Sequence, residues 1–218
     1  MAERRQNIIK LTTESLAWYF RRSDKQYSDT HLRLYDQAAE LLTSRLEFAE
    51  FLVSKLGINP GKILEIAAGS GLVSSVLKNK LDNAIFIDLS LQALDMLKRR
   101  KEFNNEPASV VNSNFLHHPF PSNYFNAIIC VGGYRYVQIE QKRLFWNETT
   151  RILDNNGKLF FAQFKPRGLS INGTTLHDDL TDYGIEVDNI SKFNSNVNMV
   201  PFTIKTGSYE LIQYTKKG

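Results

Sequence analysis

KILEIAAGSG, Lys62 to Gly71, reads as a short apolar strand that meets an acid, Glu65, and then breaks into a turn carrying Gly69 and Gly71. Glycines in such a turn bring no Cβ, so backbone can approach a ligand within van der Waals distance. The next stretch, LVSSVLKNKL, places Leu72, Val73, Val76 and Leu77 at the spacing of a helix face laid on a sheet. Strand, tight turn and helix N-terminus together predict a nucleotide-type site.

Working outward, AIFIDLS (84–90) is a second strand ending at Asp88, with Ser90 placed to cap a helix from Leu91 to about Phe103. ASVVN (108–112) is a third strand. NAIICV (126–131) is a fourth, whose unbroken apolar character predicts burial on both faces, as in a parallel sheet. A helix over 138–153 ends in the Asp154-Asn155-Asn156-Gly157 turn, and KLFFAQF (158–164) is a fifth strand. This alternation predicts an α/β fold, a Rossmann-like three-layer sandwich. Beyond it, 172–183 reads as a helix, Ile185–Phe193 as a strand, and Val200–Thr206 with Tyr209–Thr215 as a hairpin about Gly207-Ser208.

Upstream, Leu34, Ala38, Leu41, Leu42, Leu46, Ala49, Val53 and Leu56 recur in steps of three and four, a single buried helical stripe. Residues 1–30 form a more polar helix and linker with an aromatic cluster, Trp18, Tyr19 and Phe20. The expected organisation is a helical lid segment over 1–57 and one globular unit over 58–218. At 218 residues the chain has ample length for such a core.

The net charge of +4 does not call for nucleic acid as a partner, and no apolar run is long enough to span a bilayer. The start, MAERRQNIIK, has no apolar signal region, and the single cysteine, Cys130, rules out an intrachain disulfide. Both suit a cytoplasmic setting. Cys130 ends the apolar AIIC and reads as a small core residue. The adjacent His117 and His118, without a nearby Cys or acid cluster, make a poor chelate and read as a solvated loop, so no metal is expected.

Two cofactor classes fit the turn. A dinucleotide fold uses G-x-G-x-x-G and an acid about 20 residues on; Gly69-Ser70-Gly71-Leu72-Val73-Ser74 supplies two of its three glycines, with Asp88 near the required distance. An NAD(P)-binding oxidoreductase is therefore one reading. Yet ILEIAAGSG resembles the first motif of the class I S-adenosylmethionine-dependent methyltransferases, with Glu65 as its acid, Ala67 in the first glycine's place, and Gly69 and Gly71 as the other two. NFLHHPFPSNYFN (114–126) is similar to that family's D-A-x-x-L-P-F-x-x-x-x-F-D segment, and RILDNNGKLFFAQF (151–164) to its R-x-L-K-P-G-G turn and fifth strand. The likeness covers roughly 62–164 and is nearest to the small-molecule enzymes with a helical N-terminal lid.

The resemblance implies a mostly parallel seven-stranded sheet with an antiparallel C-terminal strand, and S-adenosylmethionine as cofactor. It implies cofactor contacts from Glu65, Ala67, Ala68, Gly69, Ser70 and Gly71, from Asp88 and Leu89 at the ribose, from Asn114 and Phe115 at the adenine, and from Val131. Ala67 is expected at negative φ, and the replacements Asn114 and Asn126, where the family carries Asp, are expected to bear on affinity more than on fold. The loop Gly132-Gly133-Tyr134-Arg135-Tyr136 lies at a strand's carboxyl end, where acceptor chemistry belongs. Gly132, Tyr134, Arg135 and the lid residue Tyr19 are the candidate acceptor contacts, and Tyr134 and His117 the candidate bases. The expected activity is methyl transfer to a small-molecule acceptor by a monomer or homodimer. A cofactor-binding protein without transferase activity is the remaining alternative.

Overall fold

The computed structural model describes residues 44–57, 61–80, 83–103, 109–166, 180–183, 185–199 and 202–217. The aromatic cluster at 18–20, the stripe positions before residue 44 and most of the 172–183 segment lie outside them. In chain order the elements are α1 (Ser44–Leu56), β1 (Ile63–Ile66), α2 (Leu72–Lys80), β2 (Ala84–Asp88), α3 (Leu91–Lys98), β3 (Ser109–Asn112), β4 (Phe125–Val131), α4 (Lys142–Ile152), β5 (Leu153–Pro166), β6 (Asn189–Met199) and β7 (Phe202–Thr215). Single 3-10 turns at 101–103, 115–117, 134–136 and 139–141 fill the connections.

The strands form one seven-stranded sheet in the order β3-β2-β1-β4-β5-β7-β6. The first five run parallel, while β7 is antiparallel to both β5 and β6. Side chains alternate between two cores because successive strand residues face opposite ways. Ile63, Ala127, Ile129, Phe160, Tyr209 and Leu211 pack under α1, α2 and α3. On the other face Leu64, Ile66, Ile128, Cys130, Leu159, Phe161 and Ile212 pack under α4, whose Phe145, Trp146 and Ile152 they meet. Parallel strands covered on both faces carry apolar residues without interruption, which is why β4 reads as it does.

Several expectations change. In α1 the buried positions are Phe48, Ala49, Leu52, Val53 and Leu56, and Leu46 is 57% exposed. The helix turns toward the sheet through Phe48, which stacks on Tyr209 at 4.1 Å and meets Phe193 edge-on at 5.7 Å, and ring contacts of that size outweigh one leucine. The expected hairpin about Gly207 is instead one long strand: β7 runs through Gly207 and pairs with β6 along its length, and the irregularity opposite Ser195 and Asn196 is a bulge. The Asp154 to Gly157 turn lies inside β5, where the register against β4 jumps from Phe125↔Leu153 to Ala127↔Lys158. Lys216 holds that excursion, donating from Nζ to Leu153 O and Asn123 Oδ1, both at 2.7 Å.

Asn126 belongs to this same lower edge, away from the carboxyl ends of the strands. Its Oδ1 accepts from Lys62 N–H at 2.9 Å and its Nδ2 donates to Asp154 Oδ2 at 3.1 Å. It is therefore a fold residue, contrary to the expectation that it bears on affinity. With Asp154 as partner an aspartate here would set two carboxylates face to face, whereas the amide satisfies both sides. Asn126→Asp should lower stability in denaturant unfolding at pH 7 by roughly 1 kcal/mol, and adding Asp154→Asn should recover most of it.

Candidate functional site

The strand order reverses direction of growth between β1 and β4, and ligands in open α/β sheets bind at the carboxyl ends beside such a point. A cleft of about 630 Å3 opens there, a size suited to a small molecule or nucleotide. Its walls come from Ile66 and Ala67 after β1, Ile87 to Ser90 after β2, Ser113 to Leu116 after β3, Gly133 and Tyr136 to Gln138 after β4, and Gln141 and Phe145 at the start of α4.

The turn after β1 is fixed from several sides. Asp88 Oδ2 accepts from Gly69 N–H and Asp88 Oδ1 from Ser90 N–H, each at 2.8 Å. Arg100 Nε donates to Ser70 O at 2.6 Å from the flank. Gly71 sits at φ +89, and a Cβ there would lie 2.8 Å from Leu97 Cγ, so α3 packs against bare backbone. Ser90 caps α3 as expected, its Oγ accepting from Ala93 N–H at 3.2 Å. Asn112 Nδ2 donates to both Asp88 O and Leu89 O, which holds the strand end that aims Asp88. Burial raises the Asp88 carboxyl above its ordinary value, against the lowering effect of the Ser90, Gly69 and Leu89 amides.

Ala67 stands at φ +57, in the left-handed region rather than at the negative φ expected of an alanine. A non-glycine residue there is strained by about 1–2 kcal/mol. Its Cβ lies against Gly133, where a Cβ would approach to 2.4 Å, so the alanine is accommodated only because the loop after β4 carries glycine opposite it. Glu65 lies beneath the turn, 2% exposed, on the α1–α3 face. Ser74 Oγ donates to its Oε2 at 2.7 Å. Burial pushes its carboxyl up to about 8, with a further push from the Asp88 charge and some relief from Ser74.

The sequence candidates divide. Ala67, Asp88, Leu89, Asn114 and Phe115 line the cleft, Leu89 as an exposed rim. Glu65, Ala68, Gly69, Ser70, Gly71 and Val131 lie behind the wall and shape it, and Gly132 is tied to β5 through its N–H to Ala162 O at 2.8 Å. Tyr134 does not line it: the side chain is buried against Phe145, Trp146 and Phe161, and its hydroxyl accepts from Trp146 Nε1 at 3.0 Å. Arg135 lies over the Tyr136 ring instead of in the cleft wall. His117 is exposed outside the wall, and Tyr19 lies outside the described residues. His118 departs from the solvated-loop expectation: buried, it accepts from Phe120 N–H at Nδ1 and packs behind Phe115 at 4.9 Å, with Glu148 3.5 Å from Nε2. Burial lowers its basicity, so it stays neutral packing.

Ser90, Gln92, Ser113, Leu116, Val137, Gln138, Gln141 and Phe145 complete the wall without having been singled out as ligand contacts. Gln138 and Gln141 carried a signal: two amides in the stretch after the fourth strand, three apart, where a turn of helix puts both on one side.

Residues 64–161 match the family described as "Methyltransferase domain". An uncharacterized methyltransferase of Schizosaccharomyces pombe is 28% identical over 173 residues, 72% of this chain and 59% of that protein. A demethylmenaquinone methyltransferase of Thermus thermophilus is 28% identical over 109 residues, 49% of each chain. The chain thus spans about half to three fifths of the length of these curated relatives. Among solved structures, the N-methyltransferase NodS of Bradyrhizobium japonicum, determined with S-adenosyl-L-homocysteine, superposes with a TM-score of 0.65 at 14% identity, covering 94% of this chain and 99% of that one.

Two measurements probe the strain and charge beneath the turn. Ala67→Gly should raise stability by up to about 1 kcal/mol, because glycine adopts positive φ without strain. An unchanged or lower unfolding midpoint in denaturant would show that Ala67 is not strained. Glu65 holds its proton up to about pH 8 when folded but only to about 4.5 when unfolded, so the native state binds more protons between those values and stability falls as pH rises through them. The melting temperature of Glu65→Gln should therefore decline less from pH 5 to pH 8 than that of the wild type.

Proposed function

From a chain whose residues 64–161 match a methyltransferase-domain family, we propose a class I S-adenosylmethionine-dependent enzyme that transfers a methyl group to a small-molecule acceptor. The observation that carries the reading is Asp88 at the cleft wall, locked by two backbone amides. Each of its oxygens keeps a lone pair, and a carboxylate so fixed accepts the two hydroxyls of a ribose. The remaining wall fits the rest of an adenosyl cofactor. Phe115 offers a ring face for a base, and the cleft's size matches.

When bound, S-adenosylmethionine supplies a methyl group on a sulfonium centre, open to direct displacement by the acceptor. The protein's part is alignment and exclusion of water. Glu65, kept protonated by burial, is drawn toward its charged form when an ammonium group comes to the turn, since an opposite charge favours ionisation. Tyr136 is the phenol in the cleft wall, so among the described residues it takes the place of Tyr134 and His117 as the candidate base. The small-molecule class is supported by a cleft walled by aromatic and amide side chains, by a relative named for demethylmenaquinone and by a structural neighbour named for N-methylation.

Calorimetric titration of the full chain with S-adenosylmethionine and with S-adenosylhomocysteine should show binding of both. Asp88→Ala should weaken it by about tenfold or more, as loss of hydrogen bonds to a charged group does. Titration with NAD in place of either should give no heat; NAD binding alone would replace the methyltransferase by the oxidoreductase. A panel of phenol, amine and carboxylate acceptors with methyl-labelled cofactor should yield a labelled product, and binding without labelling of any acceptor would leave a cofactor-binding protein.

A further inference from the structure

Asn114 stands where the family's segment carries an acid that lies beside the adenine, yet its side chain is turned to another task. Oδ1 accepts from Leu116 N–H at 3.0 Å and caps the 3-10 turn over 115–117. Among the described residues its Nδ2 has no hydrogen-bond acceptor. The 6-amino group of adenine is itself a donor and needs an acceptor, and the capped Asn114 has only the second lone pair of Oδ1 left for it, in the orientation that the cap fixes.

An acceptor stands across the cleft. Gln141 lines it, half-buried, at the position just before α4, and its side chain makes no capping bond to the helix and has no hydrogen-bond partner among the described residues. Phe145, four residues on and so on the same side of the helix, also lines the cleft and packs against Phe115 at 5.2 Å between ring centroids. Gln141 is thereby set on the wall that Phe115 and Asn114 share. A half-buried amide with neither its oxygen nor its nitrogen engaged loses hydrogen bonds to water when the cleft fills, unless the occupant replaces them.

We propose that Gln141 reads the Watson–Crick edge of the cofactor's adenine, its Oε1 accepting the 6-amino proton and its Nε2 donating to N1. This rests on the methyltransferase reading above and assigns the base-specificity that the Asn114 replacement vacates. Gln138, one 3-10 turn earlier and exposed, borders the same edge without the burial that makes an unpaired amide costly.

The test is a cycle between protein and ligand variants. The full chain, Gln141→Leu and Gln141→Glu are titrated with S-adenosylhomocysteine and with its analogue lacking the purine 6-amino group. In the wild type, removing the amino group should weaken binding roughly threefold to tenfold, the range of a neutral hydrogen bond. Gln141→Leu should bind S-adenosylhomocysteine more weakly by a similar factor and show no further loss with the analogue. Gln141→Glu, which keeps an acceptor oxygen, should retain the preference for the amino group and so separates loss of the bond from loss of fold. Equal binding of S-adenosylhomocysteine by Gln141→Leu and wild type, or an amino-group preference that survives in Gln141→Leu or vanishes in Gln141→Glu, overturns the assignment while the cofactor reading stands. If the wild type binds neither ligand, both fall together.

Discussion

The Asp88 carboxylate, held between Gly69 N–H and Ser90 N–H, is the contact on which the cleft depends. It joins the turn after β1 to the turn after β2, two loops that touch the same wall but belong to neighbouring strands. Taking both amides into one carboxylate satisfies donors that the sheet and the α3 helix leave unpaired at their ends. Because Asn112 and Arg100 brace the backbone on either side, the carboxylate keeps its position when nothing else contacts it. A preorganised acceptor of this kind loses little side-chain freedom on binding. One acid therefore serves both the fold and the ligand, and its burial is tolerable only because the surrounding amides partly offset desolvation.

Beneath it, the sheet's α1–α3 face carries an ionisable residue at an apolar position. Glu65 alternates with Ile63 into a core of Val76, Leu77, Phe86 and Ile129, with Ser74 as its side-chain hydrogen-bond partner. A neutral carboxylic acid can sit there at modest expense, whereas a carboxylate would need a counter-charge. Stability and cofactor electrostatics thus pull Glu65 in opposite directions. Such a conflict at a strand's carboxyl end is where local rules are expected to yield to function.

Most of the sheet was legible because periodicity and turn chemistry agree from Lys62 to Phe164. Strand limits moved by only a residue or two where an acid, a serine cap or a glycine closes them, as at Asp88 and Ser90. Legibility fails where tertiary contacts decide. Gly207 reads as a turn in isolation, but pairing with Ser195 of β6 on one side and Pro166 of β5 on the other keeps it in the strand, and the bulge falls at Thr206 beside it. Tyr134 and Arg135 read as acceptor groups because they follow a strand end, yet the 3-10 turn there sends Tyr134 into the aromatic core with Trp146. Helical phase in so short an element depends on the loop around it, and spacing alone does not supply that. The same limit hid Gln141, whose side of α4 is set by Phe145 packing on Phe115.

The departures from the family pattern then separate by position rather than by residue type. Asn126 lies at the lower edge and is matched to Asp154, so its lost charge belongs to the fold. Asn114 lies at the upper edge and caps its own turn, so its lost charge alters what the cleft wall offers a base. Ala67 lies between turn and loop, and its strained backbone is admitted by Gly133 opposite. A methyl group at Gly133 and one at Ala67 cannot coexist, whereas either glycine alone removes the clash. The turn after β1 and the loop after β4 are therefore a coupled pair, and a change in the first motif has to be read together with residues 66 positions further along the chain.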